Sequence, residues 1–211
     1  MSMSGLKKIS IASGTAGVTA QITSIPKGGL DELIAGIKSN SAEERTQAWQ
    51  SAGKVGALAV KPLAKVMSEG ELEVARAAKR GLWQIVRYTG RPGANREKRA
   101  VETELIELLD DEQPVAVGAE VLWMLSEIGA RRSVRPIAQL TRNEELREDA
   151  RMALERIGTT WAVVALKAAF EAVPEDFKSN IAQSLRKRGE QVDGYPCQKL
   201  VPTKETDVKP L

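Results

Sequence analysis

The chain has 211 residues, of which 42% are hydrophobic, 28% charged and only 4% aromatic, a balance typical of a globular protein. Its net charge is +3 and it has no histidine, which excludes histidine-based metal sites, serine–histidine–aspartate catalysis and an imidazole general base. A single cysteine, Cys197, excludes an intramolecular disulfide framework and favours a reducing, cytoplasmic location, and no apolar run is long enough to predict a membrane partner.

The first segment, residues 1–28, contains Lys7, Lys8 and Lys27 but no acidic residue. Serine, threonine and glycine interrupt its apolar residues, so it lacks the leucine-rich centre of a secretory signal. We predict an unprocessed N-terminal tail over residues 1–28. A second tail, rich in proline and of mixed charge, is predicted over residues 190–211.

Between the tails, over residues 29–189, one apolar spacing recurs five times. In its clearest copy, apolar residues occupy positions 1, 5, 8, 9 and 12 of a thirteen-residue segment that ends in glycine. At 3.6 residues per turn these positions lie on one side of a helix, and the glycine can end that helix in a left-handed conformation. The spacing predicts five helices, which we call B helices. Their copies of the spacing lie at 48–56, 74–86, 117–129, 146–158 and 177–189.

A second amphipathic segment, the A helix, precedes each B helix. Pro62 and Pro136 lie near the start of their A helices, where the missing N–H costs least. Each unit is therefore a helical hairpin of about thirty residues, and stacking buries the apolar faces that one unit leaves open. We predict an all-α, right-handed α-solenoid of about five hairpins. The A segments lie at 30–37, 63–67, 105–109, 134–140 and 164–170.

The repeated unit resembles the short HEAT repeats of phycobilin-lyase-type proteins across the whole array. Arg45, Arg147 and Lys178 occupy the position at which that family usually has arginine, whereas Ala75 and Gly118 depart from it. The resemblance implies a stack of helical hairpins. Since the family contains lyase subunits, scaffolds and adaptors, it also implies a tetrapyrrole lyase or chaperone subunit as one alternative function.

The second B helix carries basic residues and a tryptophan on one side, at i, i+3, i+4, i+7 and i+11. They fall within a sector of roughly 100°, so Trp83 is expected at the centre of a cationic face and outside the apolar stripe. Such a face can bind phosphates, carboxylates or stacked bases, or it can be ordinary solvated surface. We call this set the basic-aromatic face: Arg76, Lys79, Arg80, Trp83 and Arg87.

Residues 87–100 lengthen the spacing between the second and third repeats and are strongly basic, with glycine and proline turn signals. We predict a basic insertion there, in the form of a loop. Insertions in repeat arrays often lie on the binding face.

In a HEAT-like stack the B helices line the concave side, and equivalent positions form columns across it. Arg80 then aligns with Trp123, and Trp49 aligns with Arg151. Tryptophan and arginine dominate binding energy at interfaces, so this predicts a groove that suits a peptide. Alternatively, Trp49 and Trp123 pack between neighbouring repeats. The predicted partner-binding residues are Arg76, Lys79, Arg80, Trp83, Arg87, Trp123 and Arg151.

Six carboxylates surround the third A helix with no basic residue among them. A catalytic pair or a hard-metal site could be built there, but acidic residues at helical spacing usually form a solvated outer face. We therefore predict no catalytic residue, no metal and no cofactor. The six are Glu102, Glu104, Glu107, Asp110, Asp111 and Glu112.

Two classes of function fit these patterns. The first is a non-catalytic interaction scaffold or adaptor that binds a protein or acidic peptide segment through the concave groove and the basic-aromatic face. The second is a nucleic-acid or phosphate binder, which could extend to an enzyme resembling the HEAT-like alkyl-purine glycosylases. The mixture of acidic and basic helices favours the first. Likeness to the di-iron HEAT-repeat hydroxylases is disfavoured, because their metal sites need histidine.

Overall fold

The computed structural model describes residues 27–110 and 113–196. Over these two ranges the chain forms ten α-helices, two short 3₁₀ helices (Gly56–Ala59 and Leu140–Arg142) and no strand. The predicted N-terminal tail up to residue 26, Cys197 and most of the C-terminal tail lie outside the described residues. The helices are α1 (Lys27–Ile37), α2 (Ala42–Val55), α3 (Val60–Glu69), α4 (Leu72–Tyr88), α5 (Asn95–Ile106), α6 (Val115–Ile128), α7 (Arg131–Gln139), α8 (Arg147–Arg156), α9 (Thr160–Ala172) and α10 (Glu175–Lys187).

The helices pack as five successive hairpins, α1 with α2, α3 with α4, and so on to α9 with α10. Odd-numbered helices also pack on one another, as α3 does on α5 and α7 on α9, and form the A layer. Even-numbered helices form the B layer, in which α2 packs on α4, α4 and α8 pack on α6, and α10 packs on α8. This arrangement confirms the all-α helical repeat fold.

The core lies between the two layers and consists of the predicted apolar stripes. Leu82, Leu125, Leu154 and Leu185 occupy equivalent positions of four B helices, and each is at most 2% exposed. Burying one leucine side chain contributes about 1.5–3 kcal/mol, so this repeated position is a main source of stability. None of the helices in the described ranges is both long and apolar enough to cross a bilayer.

The glycines that follow the B helices do not share one conformation. Gly56 and Gly189 have positive φ angles of 68° and 86°, a region that favours glycine, but the ψ angle of Gly56 is −139° and so differs from that of a left-handed helical cap. Gly129 has φ −60° and ψ 146°, and Gly158 also lacks a positive φ, so the prediction of left-handed caps is wrong at these two positions. Gly129 is needed for a different reason, because there is no room for a side chain. A Cβ there would lie 3.0 Å from Ile157 Cδ1 and would collide with the carbonyl oxygen of Leu125.

The segment predicted as a basic loop, residues 87–100, is mostly helical. It completes α4 and begins α5, so only residues 89–94 separate the two helices. Arg91 lies in this short connection, where its guanidinium stacks 3.9 Å from the ring centroid of Tyr88 and pairs with Glu97. The prediction of a loop fails because the first turns of α5 are polar and carry no apolar stripe that would reveal a helix.

Residues 190–196 follow α10 and pack on the last hairpin. Val192 contacts the core, and the Tyr195 ring meets the Phe170 ring edge-on with 5.1 Å between centroids. The Tyr195 hydroxyl donates to Glu175 Oε1 at 2.8 Å. This stretch of the chain therefore lies along the stack.

Candidate interaction site on the B layer

Trp83 lies at the boundary between the second and third repeats. Its ring is half-buried and packs against the core, and its Nε1 donates to Glu120 Oε1 on α6 at 2.5 Å. The other oxygen of Glu120 pairs with Lys79 Nζ, also at 2.5 Å. Two sequence predictions are therefore wrong: Trp83 is at the edge of the apolar stripe, and the basic-aromatic face is not free of acid. Glu120 was missed because it comes from a different helix.

The remaining members of the basic-aromatic face differ in how their charges are used. Arg76 pairs with Glu73 one turn earlier on α4 at 2.7 Å, an exposed pair of small energetic value. The Arg87 guanidinium lies 5.6 Å from the Trp83 ring centroid, in a cation–π contact. Arg80 is exposed and has no hydrogen bond, ion pair or ring contact with any described residue. It is the one cation of this face whose charge the described fold leaves unused.

Trp123 on α6 makes the same type of contact one hairpin further on, although its position in the repeat is that of Arg80 and not that of Trp83. Its Nε1 donates to Asp149 Oδ1 on α8 at 3.0 Å, while 42% of the residue is exposed. Glu120 and Asp149 are 29 residues apart and occupy equivalent positions in their repeats. A tryptophan on one B helix is thus held by the equivalent carboxylate of the next. We call Trp83, Glu120, Trp123 and Asp149 the tryptophan ladder.

Glu120 and Trp123 are three residues apart on α6 and so lie on one side of that helix. The ladder therefore runs across α4, α6 and α8 as one continuous surface. Its carboxylates fix the orientation of both indole rings, and the exposed area of Trp123 is presented in a fixed position. A ring held in this way loses little entropy when it binds a partner.

Arg151, predicted to bind a partner, is held inside the B layer instead. Its side chain is only 14% exposed and donates to Glu148 at 2.6 and 3.0 Å, to Glu155 at 2.7 Å and to Ser184 Oγ at 2.5 Å. Burial lowers the pKa of Arg151, but its bonds to Glu148 and Glu155 outweigh this and raise the pKa. These bonds leave the Arg151 guanidinium little capacity to bind a partner.

Glu155 is the centre of this network between α8 and α10. It accepts hydrogen bonds from Ser184 Oγ at 2.7 Å and from Lys187 Nζ at 2.6 Å, besides the bond from Arg151. Burial raises the pKa of Glu155, but the bonds from Lys187 and Ser184, together with the charge of Arg151, lower it overall. The network joins the last two repeats and leaves these groups little capacity for a ligand.

Trp49 on α2 is half-buried and packs against the core. Its Nε1 is shielded from solvent and finds no acceptor among the described residues. Of the two alternatives for the tryptophans of the B helices, packing between elements holds for Trp49 and surface exposure holds for Trp123.

Glu102, the first of the clustered carboxylates, is a structural residue. It is only 2% exposed, and its Oε1 accepts from the Ala130 backbone N–H at 2.8 Å and from Ser133 Oγ at 2.6 Å. Arg132 Nε lies 3.4 Å from its Oε2. Glu102 thus caps the start of α7, and the prediction that it belongs to a solvated face is wrong. The partner is 28 residues away, so local spacing gives no sign of it.

Other members of the acidic cluster do lie at the surface. Glu104 and Glu107 both pair with Lys61 of the preceding A-layer helix, α3. Asp111 and Glu112 are outside the described residues. Across the described part of the chain, no three acidic, cysteine or histidine side chains are grouped so that they could hold a metal ion.

Comparison with known proteins gives structural similarities only. No protein-family model matches the chain, and no curated protein matches it. A designed armadillo repeat protein in complex with a (KR)4 peptide aligns over 76% of this chain and 82% of its own, with 20% identity and a TM-score of 0.42. An engineered protein aligns over 75% and 78%, with 18% identity and a TM-score of 0.40. A second designed armadillo repeat protein aligns over 75% and 99%, with 16% identity and a TM-score of 0.36.

Proposed function

We propose that this chain is a cytoplasmic, non-catalytic interaction scaffold of the HEAT-like class that binds an acidic segment of a partner protein. The observation that carries the proposal is the pairing of an exposed, fixed indole with an unused cation on neighbouring B helices. Trp123 is 42% exposed while its N–H is held by Asp149, and the Arg80 guanidinium has no hydrogen bond, ion pair or ring contact within the described fold.

Tryptophan and arginine contribute more binding energy than other residues at protein interfaces, above all where the free protein already holds them in place. Trp83, bound to Glu120, supports the same surface from the neighbouring helix. A partner that places an apolar side chain on Trp123 and a carboxylate at Arg80 would use both features. Trp83, Arg80 and Trp123 form the centre of the proposed site, and Lys79, Arg76 and Arg87 lie around it.

Charge distribution favours a peptide over a nucleic acid at this surface. Glu73 lies on α4 with the basic residues, Glu120 and Asp149 lie on α6 and α8, and all three would repel a phosphate backbone. A peptide that alternates apolar and acidic residues avoids most of this repulsion. Nucleic acid stays the second candidate because the charged groups of Arg96, Lys98 and Arg99, at the start of α5, have no hydrogen-bond, ion-pair or ring partner in the described ranges.

A phage-displayed library of linear peptides, selected on the full chain, provides a direct test. We expect enriched peptides to combine Asp or Glu with a large apolar residue. The double variant Arg80→Glu, Trp123→Ala should bind a synthetic, labelled copy of an enriched peptide at least tenfold more weakly, or about 1.4 kcal/mol, by fluorescence anisotropy.

A matched control places the same types of change on the A layer. Lys65 on α3 and Leu58, in the 3₁₀ helix before it, are exposed and belong to neither of the two proposed surfaces, so Lys65→Glu with Leu58→Ala should bind the peptide as tightly as the unaltered chain. Equal loss in both double variants, or none in the first, would overturn the proposal. Salt-sensitive binding of single-stranded DNA that Arg80→Glu weakens would support the nucleic-acid alternative instead.

A further inference from the structure

The exposed side of α9, in the A layer, contains an apolar strip beside its two exposed charged residues, Lys167 and Glu171. Trp161 and Val164 are 49% and 57% exposed. Ala165, Ala168 and Ala172 continue the same line at spacings of three and four residues, so these five side chains form one stripe along the helix. We call the five side chains the α9 stripe.

A groove of about 320 Å³ lies beside this stripe, between α7 and α9. Alanine side chains from both helices form much of it, and Arg135 and Arg142 line its α7 side. Both arginines are exposed, and neither has a hydrogen bond, ion pair or ring contact within the described chain. No acidic residue lines the groove. The charges of Arg135 and Arg142 therefore have no function in the fold itself.

A third arginine extends this row to the end of the stripe. The Arg131 guanidinium stacks 4.2 Å from the ring centroid of Trp161 and leaves almost half of that residue exposed. Arg132, the neighbour of Arg131, is different, because it pairs with the buried Glu102 and so stabilises the fold. One edge of the α9 stripe is thus positively charged.

We propose that the α9 stripe and the α7–α9 groove bind an amphipathic helix of a partner protein, with its apolar face on the stripe and acidic residues facing Arg135 and Arg142. Exposed apolar surface with a polar rim is typical of interaction sites. The alanines allow the backbone of a second helix to approach closely. From residue 161 to residue 172 the stripe is roughly 17 Å long, which accommodates about three helical turns.

The positive charge of this surface favours an acidic partner helix over either tail of the chain and over a second copy of the chain. Residues 197–211 contain three lysines and two acidic residues, and residues 1–26 contain two lysines and no acid, so either tail would add positive charge beside the arginines. A second copy docked symmetrically would place the same patch on both sides and bring arginine against arginine. Only a separate, acidic partner complements this surface, which is distinct from the proposed B-layer site.

A charge-swap experiment tests the proposal with the full chain. The probe is a labelled helical peptide of about 16 residues, with leucine and alanine on one face and glutamate along the adjoining edge. Its control has lysine at each glutamate position. We expect the glutamate peptide to bind at least tenfold more tightly than the lysine peptide. The double variant Arg135→Glu, Arg142→Glu should reverse this preference, and Val164→Glu should weaken binding of the glutamate peptide at least tenfold.

Lys65→Glu, on α3 of the A layer and outside both proposed surfaces, is the matched control and should leave binding of the glutamate peptide unchanged. The residues changed are exposed, so circular dichroism and melting of each variant should match those of the unaltered chain. Equal binding of both peptides, or an unchanged preference in the double variant, would contradict the proposal. So would a concentration-dependent dimer in analytical ultracentrifugation that Val164→Glu dissociates, since the occupant would then be a second copy.

Discussion

Trp83 and Glu120 are joined by a hydrogen bond of 2.5 Å from the indole Nε1 to Oε1 across the boundary between α4 and α6. The other oxygen of Glu120 pairs with Lys79, so one carboxylate binds two residues of the preceding repeat. Trp123 and Asp149 form the equivalent bond at the next boundary. These long-range polar contacts connect neighbouring B helices in addition to the apolar core.

We expect the Trp83–Glu120 bond to contribute about 1 kcal/mol to stability, because both groups are partly removed from water. Trp83→Phe keeps an aromatic ring but loses the donor, and Glu120→Ala loses the acceptor. A double-mutant cycle of urea unfolding should give a coupling energy of at least about 0.5 kcal/mol. Trp123→Phe is the control and should cost less, since Trp123 is 42% exposed. Additive effects in the cycle would show that the bond contributes nothing.

The capping role of Glu102 predicts a large cost for its removal. Glu102→Ala would leave the Ala130 N–H and the Ser133 hydroxyl without their acceptor in a buried site, and we expect a loss of about 2–3 kcal/mol. Glu104→Ala, two residues away and at the surface, should change stability by less than about 0.5 kcal/mol. Chemical denaturation of both variants distinguishes a buried cap from a solvated acidic face, which would give equal, small changes.

We expect that lysine cannot replace Arg188 without a loss of stability. Its Nη1 donates to the backbone oxygens of Glu155 and Ile157 at 2.9 and 2.5 Å, and its Nη2 donates to that of Thr159 at 3.1 Å. Lysine cannot span these acceptors, so Arg188→Lys should cost about 1–2 kcal/mol. It should also speed hydrogen exchange at the end of α8.

Arg156→Lys is the control for Arg188, because it alters an arginine of α8 in an exposed pair with Glu127. It should leave both stability and exchange nearly unchanged. If Arg188→Lys behaves in the same way, the carbonyl contacts of Arg188 do not stabilise the helix end.

The lowered pKa of Glu155 predicts that the stability of the fold depends on pH. Because the fold lowers the pKa of Glu155 below its ordinary 4.5, the carboxylate stabilises the folded state above that pH, and this contribution is lost as pH falls through the lower folded pKa. Glu155→Gln should therefore be less stable than the unaltered chain at about pH 7, and the difference should shrink below about pH 4.5. Urea unfolding at several pH values across this range measures the difference in stability. Glu144→Gln is the control for the loss of one exposed charge. A difference that does not change with pH would contradict the prediction.

The architecture was predictable because the signal for it is local. A spacing near 3.6 residues marks the buried side of each B helix, and Leu82, Leu125, Leu154 and Leu185 are buried as that spacing requires. The start of α5 was not predictable in this way, because its first turns are polar and exposed. Trp161 was also overlooked as a surface residue, since an apolar segment at helical spacing gives no indication of which side another helix covers.

The sequence by itself determined that this chain is an array of helical hairpins, because each hairpin carries its own apolar stripe and stacking is the way to bury it. Only the tertiary structure decided which charged and aromatic side chains are free. Glu102 is bound by the Ala130 N–H, 28 positions away, and Arg151 by Ser184, 33 positions away, in addition to its local carboxylates. Arg80, Arg135 and Arg142 have no such side-chain partner in the described ranges. An ion pair needs its atoms within about 4 Å, a distance that depends on how one helix is rotated against the next. Local spacing carries no information about that rotation.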